Sequence, residues 1–126
     1  MLYVIRIMYM QRGIKMKNDE RYIAIPTIGE YLREEWLEPL KMSQNALAKS
    51  IGVPQNRIND IVNGKRGISA DTDLRLCKYF GMSNGFFMRM QIGFEQTLAK
   101  RELKKDLAKI VPYANDNYEY DERMRM

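Results

Sequence analysis

From Thr27 onward, apolar residues recur every three or four positions, the interval at which one face of a helix repeats. Glu30 stands three residues after Thr27, the capping-box spacing, and Ile28, Tyr31, Leu32 and Trp36 follow at helical intervals until Pro39. Ser43 is a good N-cap for QNALAKSI, which Gly52 stops. Pro54 suits the first turn of a third helix, QNRINDIV, ending at Asn63-Gly64. Ser69 caps a fourth, ADTDLRLCKYF, with Asp71 and Asp73 near its positive end and Gly81 behind it. Ser83 or Asn84 opens a fifth, striped by Phe86, Phe87, Met90 and Phe94. Its spacing runs on through Leu98, Leu103, Leu107 and Ile110 to Pro112. Only YVIRI near the start alternates as a strand would. The pattern predicts an all-α chain.

Composition narrows what such a chain does. At 126 residues it suits one domain with a small core. Histidine is absent, which removes the usual general base, the commonest metal ligand and the near-neutral pH switch together. A single cysteine, Cys77, excludes a disulfide framework and a cysteine-only metal site, and its position between Leu74 and Phe80 reads as a buried thiol. No apolar run reaches the roughly 18 residues a membrane helix needs, and Arg6 interrupts the apolar start MLYVIRIMYM. These bounds favour a cytoplasmic binding protein with no cofactor and no metal over an enzyme. Glu34, Glu35 and Glu38 read as a solvated helix face rather than a catalytic carboxylate pair.

Charge is unevenly placed. Lys+Arg number 21 against 16 Asp+Glu, a net of +5. Residues 41–66 hold Lys41, Lys49, Arg57, Lys65 and Arg66 against Asp60 alone, while 30–38 carry four glutamates and one arginine. A basic segment beside an acidic helix suits a face aimed at a polyanion. Three segments are expected: an N-terminal extension over 1–17, a domain over 18–112, and a polar, disordered tail over 113–126. The extension reads as an over-extended start, with Met16 an alternative beginning, or else as a basic arm.

The decisive stretch is QNALAKSIGVPQNRINDIVN, 44–63. Two short helices joined by a tight turn need a small residue where they cross, and Ala48 is one. The turn needs a backbone that tolerates positive φ, which Gly52 supplies. Ile58 and Ile61, three apart, are placed to bury one side of the second helix against Leu47 and Ile51. This is the spacing of a helix-turn-helix. The outward positions of the second helix are Gln55, Asn56, Asn59 and Asp60, short polar side chains of base-edge reach. NGKRG follows directly.

At this point the chain resembles the Cro and phage-repressor (Xre) type of helix-turn-helix, and residues 27–91 resemble the HigA antitoxin family. The family opening PGEIL…EFLEPL corresponds to TIGEYLREEWLEPL, and the S-x-x-x-L-A-x-x-x-G-V core to Ser43 through Val53. There follow RINDIVNGKRGISADT, a helix ending in Phe80-Gly81, and S-x-x-F-F-x-x-x-Q from Ser83 to Gln91. Four departures stand out. Thr27-Ile28-Gly29 replaces His-Pro-Gly, Asp73 stands where alanine is frequent, Phe87 replaces a common tryptophan, and Gly85 lies where an acid is usual, which is expected to loosen the start of the fifth helix. The resemblance implies a five-helix lambda-repressor-like DNA-binding domain with a C-terminal helical extension. It also implies a dimer that binds a palindromic double-stranded operator, represses its own operon, and holds a HigB-type mRNA-cleaving toxin inactive. The alternative is a phage-repressor-type transcriptional regulator without a toxin partner.

Roles follow from chemistry. Gln55 and Asn56 carry amides that pair bidentately with adenine N6 and N7. Arg57 takes guanine or phosphate, Asn59 lies a turn on, and Asp60 accepts from a cytosine amine or pairs with Arg57. Ser43, Gln44, Asn63, Lys65 and Arg66 are expected phosphate contacts, which set register without reading sequence. Phe87, Met90, Phe94, Leu98, Leu103 and Leu107 exceed what one edge of a small core needs, and are expected to form the dimer interface. Toxin contact is expected away from DNA, on the first helix and the chain ends.

Overall fold

A computed structural model describes residues 24–113, which are helical with no strand among them. The expected extension 1–17 and all but the first residue of the expected tail lie outside the described residues. Helix α1 (Ile28–Leu32) begins at Thr27, whose hydroxyl accepts the Glu30 N–H at 3.1 Å. It widens into a π-helical turn over Arg33–Leu37, closed by the Glu38 N–H donating to the Arg33 carbonyl at 2.9 Å. The wider turn brings Leu37 into the core and lays Trp36 on Phe80, Phe87 and Phe86, with ring centroids 4.6, 5.5 and 6.2 Å away. Periodicity alone predicts an unbroken α-helix here; a π turn leaves no mark in a pattern of apolar residues.

Helix α2 (Gln44–Ile51) starts where Ser43 Oγ accepts the Ala46 N–H and ends at Gly52, whose φ of 71° only glycine adopts without strain. After two residues α3 (Gln55–Val62) turns back across it. Leu47, Ala48, Ile58 and Ile61 are all at most 2 % exposed, so the expected crossing is the one observed. Gly29 lets α1 press onto α3: a Cβ there would collide with the carbonyls of Ile61 and Val62. Helix α4 (Ala70–Phe80) is capped by Ser69 and closed by Gly81 at φ 70°.

Helix α5 (Phe86–Glu102) shows how one departure from the family pattern offsets another. Gly85 carries no side chain to cap the helix and sits at φ 90°. The carboxylate of Asp73, 2 % exposed on the facing helix α4, accepts the Gly85 N–H at 2.7 Å and the Met88 N–H at 3.0 Å. An acid is thus supplied from the neighbouring helix instead of from position 85, and the start of α5 is held, not loosened. Cys77, buried as expected, lies 3.6 Å from the same carboxylate.

Past Phe94 the apolar stripe leaves the core. Phe87 and Phe94 are 0 % and 4 % exposed and pack inside the chain's own core, Phe94 against Tyr31 at 5.9 Å. They have no surface left for a second copy, which corrects their expected place in a dimer interface. Met90 is half-buried against the core. Leu98, Leu103 and Leu107 are more than two-fifths exposed. The helix breaks at Leu103 (φ −94°, ψ 7°) and resumes as α6 (Lys104–Lys109), so the expected single helix to Val111 is two.

Candidate nucleic-acid interface

The face built by α2, α3 and the following loop gathers most of the residues expected to meet DNA. Burying Ile58, Ile61 and Val62 turns the opposite side of α3 outward, where Gln55, Asn56 and Asn59 are exposed. Gln55 and Asn56, in the first turn, make no side-chain hydrogen bond to any other described residue, so both amide edges are available. Asn59 is engaged differently. Its amide donates to Gln44 Oε1 at 3.1 Å, and its own carbonyl accepts from the Asn63 amide at 3.1 Å. Gln44, Asn59 and Asn63 therefore form an amide ladder that ties the start of α2 to the end of α3. Ser43 spends its hydroxyl oxygen as the α2 cap.

Two charged residues sit otherwise than expected. Arg57 is paired through Nη1 with Asp71 Oδ1 at 2.9 Å, and that same oxygen accepts from Arg75 Nε at 2.9 Å. Asp60 does not pair with Arg57. Its nearest cation is Arg66, 4.0 Å away, and its backbone carbonyl accepts the N–H groups of both Lys65 and Arg66 at 2.8 and 3.2 Å. The loop is thereby folded back on the end of α3, and Lys65 and Arg66 are both exposed beside it. Lys65 has no ion pair among the described residues.

Asp71, Arg75 and Gln91 support this face from outside it, in ways their spacing does not show. Arg75 donates to the carbonyls of Ile51 and Gly52 at 2.8 and 3.3 Å, holding the turn between α2 and α3. The i, i+4 spacing of Asp71 and Arg75 marks them as a pair, but no spacing shows that the pair reaches Arg57 and the turn. Gln91 closes the family motif, yet its partner, Ile68, lies 23 residues away. No group of three histidine, cysteine, aspartate or glutamate residues suited to a metal occurs among the described residues. No helix among them is long and apolar enough to cross a membrane.

Fold and face together define a helix-turn-helix module. The helix-turn-helix family HTH_3 matches residues 34–83. Virulence-associated protein I of Dichelobacter nodosus is 43% identical over 88 residues, 70% of this chain and 81% of that protein. Two solved structures agree closely. The Pseudomonas aeruginosa antitoxin HigA with the higBA promoter superposes with a TM-score of 0.64 at 36% identity, covering 72% of this chain and 100% of the other. An addiction module antidote protein of the HigA family from Coxiella burnetii gives 0.65 at 38% identity, with 72% and 100% covered. The chain belongs to the HigA-type antitoxins of the Xre-like helix-turn-helix family, a class of DNA-binding antitoxins and regulators rather than of enzymes.

Proposed function

We propose that this chain binds the operator of its own operon through α3, represses that operon, and neutralises an mRNA-cleaving HigB-type toxin. The observation that carries the reading is the pair of unengaged amides, Gln55 and Asn56, on the leading turn of α3 in a fold shared with a promoter-bound HigA. Gln55 and Asn56 read base edges, with Asn59 a turn behind. Gln44, Asn63, Lys65 and Arg66 meet phosphate. Asp71 aims Arg57 at the same groove, where its remaining donors meet guanine or phosphate; Asp60 steadies Arg66. Ser43 joins the phosphate set through its exposed edge.

One recognition helix reads only a handful of base pairs, so a two-fold dimer on a palindrome supplies the missing specificity. The two copies of α3 then enter successive major grooves about 34 Å apart. Met90, Leu98, Leu103 and Leu107 form the dimer surface. The glutamates of α1 and the π-helical turn that continues it, Glu30, Glu34 and Glu35, opposite in sign to a basic RNA-cleaving partner, suit the toxin contact. The protein acts in the cytoplasm, without cofactor or metal.

A gel shift on the DNA upstream of the coding sequence, beside a random duplex, tests operator binding. Co-purification with the product of the neighbouring reading frame tests the toxin. Operator binding without such a partner would leave a phage-type regulator.

A further inference from the structure

The loop between α3 and α4 carries both exposed cations expected at the phosphate backbone, and it is fastened at two ends. Its first end is fixed by the Asp60 carbonyl, which accepts from Lys65 and Arg66. Its second end is gripped from α5. Gln91 Oε1 accepts the Ile68 N–H at 2.6 Å and Gln91 Nε2 donates to the Ile68 carbonyl at 3.1 Å, so one side chain satisfies both backbone groups of one residue. Such a paired contact sets the strand's height and orientation together, which a single hydrogen bond does not.

Gly67 belongs to the same arrangement. A Cβ at this position would lie 2.9 Å from Gln91 Oε1, so the residue next to Arg66 has no room for a side chain while the Gln91 amide is in place. Ile68 itself is 3 % exposed, which plugs the loop into the core directly beneath the grip. Only Gly67 therefore separates a buried, doubly bonded anchor from Arg66.

We propose that Gln91 is a positioning residue for DNA binding: from α5, it holds the Lys65–Arg66 loop at the height where both cations meet phosphate. The proposal rests on the operator-binding reading above. A flexible loop would have to be ordered on each encounter, whereas one held by Gln91 meets the duplex already shaped. Gln91 touches no DNA in this scheme. Its effect passes through Ile68 and Gly67 alone.

The test measures binding of the full chain to its upstream duplex and to a random duplex across a salt series, with thermal melting by circular dichroism as the fold control. Gln91→Met keeps the side chain's length and removes both hydrogen bonds. It should weaken both duplexes alike, by tenfold or more, and flatten the plot of log K against log salt by about one to two units, the share of two phosphate contacts. Gly67→Ala, which displaces the amide from the other side, should do the same and gives the answer should Gln91→Met not fold. Adding Gln91→Met to a Lys65→Ala/Arg66→Ala chain should change little, since the cations it positions are gone. A folded Gln91→Met chain, or in its absence a folded Gly67→Ala chain, within twofold of wild type and of unchanged slope overturns the proposal. So does full additivity with the double alanine change. A wild-type chain that binds neither duplex overturns the operator-binding reading itself, a different result from either.

Discussion

Replacing Asp73 with alanine should be among the most damaging single changes in the domain, although the residue is a polar one on a helix of ordinary composition. Its carboxylate accepts the Gly85 and Met88 N–H groups at 2.7 and 3.0 Å in a site 2 % exposed. Hydrogen bonds to a charged acceptor contribute roughly 1.5–3 kcal/mol each, so the two are worth about 3–6 kcal/mol together. Removing the carboxylate also relieves the cost of keeping a charge from water, on the order of 1–2 kcal/mol where donors already surround it. The net loss comes to about 3 kcal/mol. For a domain of this size that lowers the melting temperature by roughly 12–24 °C. Asp73→Asn keeps one carbonyl oxygen but turns an NH2 group toward the second donor, so it should recover less than half of the loss. Urea titration and thermal melting followed by circular dichroism measure both variants. An Asp73→Ala chain within about 1 kcal/mol of wild type would refute the claim that this carboxylate holds the start of α5.

Lys65→Ala or Arg66→Ala should weaken specific and random duplexes alike and flatten the salt slope by about one unit each, while Gln55→Ala or Asn56→Ala should lose roughly 1–3 kcal/mol of discrimination at particular base pairs. Binding curves on operator and random DNA separate the two classes; equal losses on both for Gln55→Ala would contradict its role in reading bases. Leu98→Glu, 41 % exposed and outside the core, should leave the melting curve nearly unchanged yet yield a monomer that no longer shifts operator, as read by light scattering beside a gel shift. Burial raises the Tyr31 hydroxyl above its ordinary value near 10, with Trp36 partly opposing the effect. The unfolded chain therefore releases this proton first as pH climbs, so the associated stability is intact below about pH 10 and lost above it; Tyr31→Phe should remove that part of the decline in denaturant titrations.

Local chemistry was the legible part of this chain. Thr27, Ser43 and Ser69 each accept a backbone N–H at the helix start they mark, and Gly52 and Gly81 each end a helix at positive φ. Caps act within four residues, so they can be seen in a linear string. The helix crossing was legible for the same reason, because Ala48, Ile58 and Ile61 stand at spacings that one pair of helices dictates. What could not be read depends on contacts between elements far apart in the chain. Asp73 meets Gly85 12 residues on, Gln91 meets Ile68 across 23, and Arg57 pairs with Asp71, 14 residues away in the first turn of α4, and not with the nearer Asp60. The stripe on α5 shows the same limit. Phe87, Phe94 and Leu98 are equally apolar and equally well phased, and nothing in their spacing tells where the core stops.

That stopping point divides the molecule's evolutionary freedom. Among the described residues Phe94 is the last one buried, and every later described residue is exposed or half-exposed, on a helical arm outside the face built by α2 and α3. Substitutions on the arm do not unsettle the packing that aims α3, and substitutions on α3 do not alter the arm. On the dimer reading proposed above, selection can therefore change how two copies are joined, and so the spacing of their two α3 helices, while leaving unchanged the bases that each α3 meets. An engineer inherits the same division: on that reading, exchanging the segment beyond Phe94 would reset how copies are joined, while the helices before it keep the packing that aims α3.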